Sequence, residues 1–371
     1  MDFLNCLETD MSIKILSCLD DPSDLVRVTA VSRSWQELVV KCGLCKQLCL
    51  RTFPQLSRLD HVIHPSDSNE ESSEAESSNL MEWRSLERDH KVYAFLARAR
   101  LPSPVKSCIS EAVVASSTDN FPAESIFNTL EPRDRLGATP SYWSSQGQEK
   151  SSVPETLLYK LMGDVCVVTE INIQPFRAYF QRGSPIYSAN YVRFRMGHYK
   201  PSSDNWKTEP AHSAIESNYV WTYISQEFPM AQESRLQNFK FPEPVLCIGG
   251  YLLVELLGRV QRQEMDGLYY ICVSHVKVMG RSLGGVFGAE IMDQTGKFAL
   301  KVLSYKEPQA TEEEEGLSAE AGETPNSRPP RRNLQQLLNF LHRHPLDVDE
   351  YVWAESDDDD DDDEEEGGGA F

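Results

Sequence analysis

The sequence predicts a multidomain chain with a small all-α bundle at its start, an antiparallel all-β jelly-roll sandwich behind it, and a disordered acidic tail. Three observations predict this. Apolar residues recur at helical spacing up to about residue 53, and then at a period of two from about residue 108 to residue 281. No long amphipathic helix separates the alternating segments, which argues against a parallel sheet with helical crossovers. Charge is unevenly split: residues 307–371 hold 21 acidic residues against four arginines, so −17 of the chain's −21 lies there.

The bundle occupies residues 1–53. Leu7, Met11, Ile15, Leu16 and Leu19 follow the spacing of a buried helical stripe. The run Asp20-Asp21-Pro22-Ser23-Asp24 interrupts it, with Pro22 stopping the first helix and Ser23 or Asp24 capping the next. Leu25, Val28 and Val31 continue at a spacing of three, Ser32 caps a third helix, and Trp35, Leu38 and Val39 line it. Three short helices in so few residues lie near the lower limit for independent stability and would gain from a partner.

Residues 54–104 read as a linker followed by a helix. The stretch 65–80 is Ser/Glu-rich and solvated, and a helix from Glu82 to Leu101 ends at Pro102 and Pro104. Residues 105–285 form the sandwich. Positions 191–196 alternate, with Val192, Phe194 and Met196 on one face, and 157–161, 165–173, 219–224, 251–257 and 268–279 also read as strands. A hairpin over 286–306 turns around Asp293-Gln294-Thr295-Gly296. The tail, 307–371, carries one short helix at 333–342, with Leu334, Leu337, Leu338 and Leu341 on one face. Residues 105–305 are expected to fold alone without disulfides.

Composition excludes several functions. Apart from the tail the chain is nearly neutral and lacks the clustered Lys and Arg that phosphates require, so no nucleic-acid partner is expected. The longest strongly apolar charge-free stretch, 244–254, is too short to span a bilayer, and no membrane partner is expected. Nine cysteines, several inside apolar runs, read as reduced core thiols. With Asp2, Glu8 and Asp10 at the start and no glycosylation sequon, the expected location is cytoplasmic and/or nuclear.

Motifs for chemistry are lacking. Cys42-x2-Cys45 has zinc-like spacing, but His61-x2-His64 is one residue short and no finger pattern joins them, so these read as free thiols and ordinary histidines. The glycine-rich segment 280–288 is followed by no Gly-Lys-Ser/Thr. No metal, cofactor or catalytic residue is assigned, and the chain is expected not to be an enzyme. The run of seven aspartates and three glutamates reads as a solubilising tail, with steering toward a basic partner as the alternative.

Residues 7–39, LETDMSIKILSCLDDPSDLVRVTAVSRSWQELV, resemble an F-box. Leu7, Asp10, Ile15-Leu16, Leu19, Asp24-Leu25, Val28, Val31-Ser32-Arg33 and Trp35 fall where that family has its characteristic residues, while Glu8 replaces a frequent proline. The resemblance implies docking onto a Skp-type adaptor, and through it onto cullin and RING subunits, with Leu7, Ile15, Leu16, Leu19, Leu25, Val31 and Trp35 as the contact residues. The family itself performs no catalysis; it positions a client for ubiquitin transfer.

Residues 108–281 resemble a discoidin or galactose-binding-like domain, through Ala115-Ser116-Ser117, Tyr142-Trp143-Ser144-Ser145, Leu158-Tyr159-Lys160-Leu161 and the closing segment 269–278. The whole resembles plant F-box proteins that carry such a domain. Its implication is a ubiquitin-ligase receptor whose sandwich binds an unknown protein client, with Trp143, Trp206 and Trp221 as candidate platforms. The alternatives are a lectin-like receptor for glycosylated clients and an adaptor-bound scaffold outside any ligase.

Overall fold

A computed structural model describes residues 6–65, 78–99, 106–137, 139–200, 215, 217–293 and 295–304. The stretch 66–77, Trp206, the 333–342 helix and the acidic tail lie outside the described residues. Five helices are present among them: α1 (Thr9–Leu16), α2 (Pro22–Thr29), α3 (Arg33–Lys41), α4 (Leu44–Thr52) and α5 (Ser78–Arg98). None is long and apolar enough to cross a membrane.

Local chemistry sets the helix starts. The Asp21 carboxylate accepts from the Ser23 N–H at 2.7 Å, so Asp21 caps α2, not Ser23 or Asp24. Pro22 opens α2, where its missing N–H has no intrahelical partner to lose; it is a start signal here, not a stop. Ser32 caps α3 by accepting from the Trp35 N–H at 3.4 Å. The bundle also has one helix more than the three expected. α4 buries Leu44, Cys45, Leu48 and Cys49, a stripe disguised in the sequence by its cysteines.

The sandwich consists of two antiparallel sheets. One has the strand order Tyr219–Ile224, Ala189–Tyr199, Tyr251–Arg259, Glu155–Leu161, Ile109–Ala115. The other runs Gln237–Ile248, Val165–Pro175, Cys272–Ser282, Lys106–Ser107, with Trp143–Ser144 also paired to Cys272–Ser282. Strand Gln237–Ile248 was not expected, because Pro242 and Pro244 interrupt it. The structure places it at the sheet edge with a register shift between Lys240 and Val245, which is where prolines without a ladder N–H are tolerated. The chain passes to the other sheet through Gly249 and Gly250, both at positive φ. A Cβ at Gly249 would lie 2.1 Å from that of His198, so only glycine fits.

Two apolar cores meet at the second sheet. Cys166, Val168, Val245 and Cys247 point into the sandwich. Their neighbours Val165, Val167, Leu246 and Ile248 point the other way, into a core shared with Leu16, Leu25, Val39, Phe53 and Leu96 of the helical region. That explains the unbroken apolar runs 165–168 and 245–248: both faces are covered. A third sheet lines the shared core, in which strand Leu59–Ile63 pairs in parallel with Phe298–Val302, the second arm of the hairpin begun by Phe287–Ile291. Strand Leu59–Ile63 falls within what the sequence presents as linker. The described residues all lie in one compact unit, Met1–Glu320.

Candidate functional site

The first candidate surface is the outer side of α1–α3. Met11 and Ile15 stand four residues apart and therefore share one face of α1, Leu7 lies just before the helix, and all three are exposed (49, 44 and 39%). Of the stripe expected to be buried, these three face solvent, whereas Leu16 turns inward as expected, joined by Ser12, and Leu19 is half-buried. Val31, in the turn before α3, is 61% exposed, and Val26 of α2 is exposed too. Of the remaining predicted contact residues, Leu16 and Leu25 belong to the chain's own core, while Leu19 and Trp35 are half-buried against it.

Of the candidate tryptophans, Trp143 and Trp221 do not come together in a platform. Trp143 has no exposed surface and its indole N–H donates to the Ser117 carbonyl at 3.0 Å, so it is a core residue with no face to offer. Trp221 lies on the outside of the opposite sheet, parallel to the Tyr219 ring with centroids 5.5 Å apart.

A different group of aromatics forms a cavity of about 140 Å³ where the loops 116–124, 176–187 and 261–271 converge. Its apolar walls come from Tyr142, Phe176, Phe180, Tyr187 and Tyr270. Tyr142 stacks on Phe176 with centroids 3.9 Å apart, and Tyr187 meets Tyr270 edge-on at 6.2 Å. Successive residues point to opposite sides here, so Trp143 enters the core while Tyr142 enters the cavity. Asp119 and Glu124 supply carboxylates. The Tyr142 hydroxyl donates to Glu124 at 2.5 Å, Tyr187 to Gln181 at 2.6 Å and Tyr270 to Asp266 at 2.6 Å. Burial, and then the bond to Glu124, raise the Tyr142 phenol well above its ordinary value. Burial, reinforced by the Asp266 charge, raises the Asp119 carboxyl. Cys272 on the wall is pushed up to about 12 by burial and stays a neutral thiol.

The loops are clasped from below by one side chain. Arg259 donates to the carbonyls of Val153, Gln146 and Tyr269 and to the Ser145 hydroxyl, all at 2.9–3.0 Å, and pairs with Glu155. Glu155 also accepts from Ser116, and Ser145 accepts from the Ile271 N–H at 3.0 Å. The Ser116-Ser117 and Ser144-Ser145 pairs therefore knit the base of the cavity. Among the described residues no group of three or more His, Cys, Asp or Glu is placed to hold a metal ion. Cys42 ends α3, and Cys45 is buried in α4 with its thiol pushed up to about 12.

Residues 9–51 match the family model described as F-box-like. A protein of Arabidopsis thaliana named as an F-box protein is 63% identical over 368 residues, covering 96% of this chain and 97% of that one. Among solved structures, the family 32 carbohydrate-binding module of Clostridium perfringens NanJ, in complex with galactose, covers 47% of this chain and 98% of its own at 11% identity and a TM-score of 0.30. Saccharomyces cerevisiae allantoicase covers 50% of this chain and 52% of its own at 12% identity and a TM-score of 0.33.

Proposed function

The chain belongs to the F-box proteins, and from that membership we propose that it is the substrate-recognition subunit of a Skp–cullin–F-box ubiquitin ligase. The helical face docks on a Skp-type adaptor, which links it to the cullin and RING subunits, and the sandwich holds a protein client. The role asks no bond-making of this chain; it holds the client where the conjugating enzyme can reach it.

One observation carries the reading. Met11 and Ile15 form an uncovered apolar row on α1, with Leu7 exposed just before it and Val31 exposed in the turn before α3. Exposed apolar rows on a folded surface mark places where another protein binds. The division of labour follows from the residues: Leu16 and Leu25 build the bundle, and the exposed row offers the contact.

The test is co-purification of the full chain with a Skp-type adaptor. Ile15→Asp with Val31→Asp should abolish recovery of the adaptor without lowering the melting temperature, because neither side chain is in the core. Leu25→Ala, by contrast, should cost about 2–5 kcal/mol of stability. Undiminished recovery with the aspartate pair overturns the docking face. Adaptor recovered without cullin points to a scaffold outside the ligase.

A further inference from the structure

We propose that the aromatic cavity at the loop end of the sandwich receives a cationic side chain, the lysine or arginine of a basic segment in the client. This rests on the reading of the sandwich as the client-binding half and names the chemistry of that contact.

The cavity joins two features that favour a cation. Tyr142, Phe180 and Tyr270 line it, Phe180 being 52% exposed, and aromatic rings attract ammonium and guanidinium groups. The carboxylates of Asp119 and Glu124 line it, and Asp266 stands directly behind Tyr270. No Lys, Arg or His is among the lining residues, so this negative charge has no cation of its own there. The Asp119 carboxylate accepts no hydrogen bond from any described residue.

The neighbouring cavity shows what the fold does when it fills such a place itself. Phe176 lines both. On the far side the Arg135 guanidinium sits 3.8 Å over the Tyr179 ring, whose edge meets Phe176 at 5.9 Å. On the near side the rings and carboxylates have no such guest.

Size and hydrogen bonding narrow the ligand further. A space of about 140 Å³ is well under the roughly 300–1,000 Å³ of sites for drug-sized molecules, and it suits one side chain. The hydroxyls of Tyr142, Tyr187 and Tyr270 already donate within the protein. The walls also carry the amides of Asn120, Gln181 and Gln263, but their charge is negative. A neutral polyol would leave that charge uncompensated, whereas an ammonium or guanidinium group supplies both charge and donors.

The test uses the biotinylated full chain bound to its adaptor and a phage-displayed library of random nine-residue peptides. Selected peptides are expected to share one fixed Lys or Arg, and changing it to Gln should weaken binding about tenfold or more, as should Asp119→Asn with Glu124→Gln. Adaptor recovery should be unchanged in that variant, which separates failure here from failure of the receptor reading. Three results overturn the proposal: no selected peptide whose binding depends on the cavity, selected peptides indifferent to their basic residue, or neutral glycans on an array bound in place of peptides and lost in the same double variant.

Discussion

Arg259 and Glu155 form an ion pair sealed inside the sandwich, with both side chains cut off from solvent. Arg259 comes from the end of one strand and Glu155 from the start of its neighbour, so the pair ties the strand that leads into the 261–271 cavity loop to the strand beside it. Taking charges out of water is costly unless every donor and acceptor is satisfied. Here the guanidinium also meets three carbonyls and a hydroxyl.

Replacing Arg259 should therefore cost more than replacing Glu155. Arg259→Met leaves Glu155 as an uncompensated buried charge, strips the Val153 carbonyl of its donor and takes one of two donors from the Gln146 and Tyr269 carbonyls, for about 3–5 kcal/mol. Glu155→Gln keeps an acceptor for the guanidinium and should lose less. Denaturant midpoints of the two variants decide; equal losses would mean that the carbonyl contacts contribute little.

The nine thiols separate by exposure. Cys6 and Cys18 are exposed, Cys42 is half-buried, and Cys45, Cys49, Cys108, Cys166, Cys247 and Cys272 are buried. Burial pushes Cys108 and Cys247 up to about 11 and Cys45 up to about 12, which removes the reactive thiolate at neutral pH. A maleimide reagent should label Cys6 and Cys18 within minutes in native buffer and reach the six buried thiols only on unfolding. Melting temperature should be indifferent to reductant. Fast native labelling of any of the six would show that the core is more open than described.

The strand at 191–196 was legible because its two faces meet different surroundings, and the alternation records that difference. Ser32 was legible as a cap because its chemistry is local. Periodicity told which residues of α1 share a face, but not what covers the face, so Met11 and Ile15 read as core when solvent meets them, as it does Leu7 just before the helix. The cavity was illegible for another reason. Tyr142, Phe176 and Tyr270 are brought together by strands far apart in sequence, which no local spacing records. Trp143 went to the core because an indole gains most from full burial with its N–H bonded. The signal that could have led there was the aromatic density of 176–187, directly after a strand that ends at Pro175.

Asp119 should limit stability at neutral pH. Burial and the Asp266 charge raise its folded-state carboxyl above the unfolded value, so ionisation works against the fold. The penalty is full above the folded midpoint, falls as pH drops through it, and is gone below the ordinary value near 3.8. Asp119→Asn should accordingly raise the melting temperature at pH 7, with the gain shrinking toward pH 4. Stability of the two proteins that runs parallel across that range would show the carboxylate to be fully solvated. A destabilising charge kept in a cavity is the trade expected of a binding group.

The last prediction concerns residues 105–305, which their period-two pattern suggests should fold alone. The shared core argues for a weaker fragment. Removing residues 1–104 uncovers Val165, Val167, Leu246 and Ile248 on the outer face of the second sheet, together with Phe287, Phe298 and Leu300 of the hairpin. It also takes away strand Leu59–Ile63, leaving Phe298–Val302 as an unpaired edge. The sandwich's own core, from Trp143 to Val278, is untouched, so circular dichroism should still report β-structure. The fragment should melt well below the full chain, associate with concentration, and bind a hydrophobic dye that the full chain does not. In the full chain the helices and the sandwich should unfold in a single transition, followed by far-ultraviolet dichroism and by the tryptophan emission of Trp143. A monomeric fragment with the melting temperature of the full chain would show that the shared core contributes nothing to the sandwich, and that helices and sandwich are separable after all.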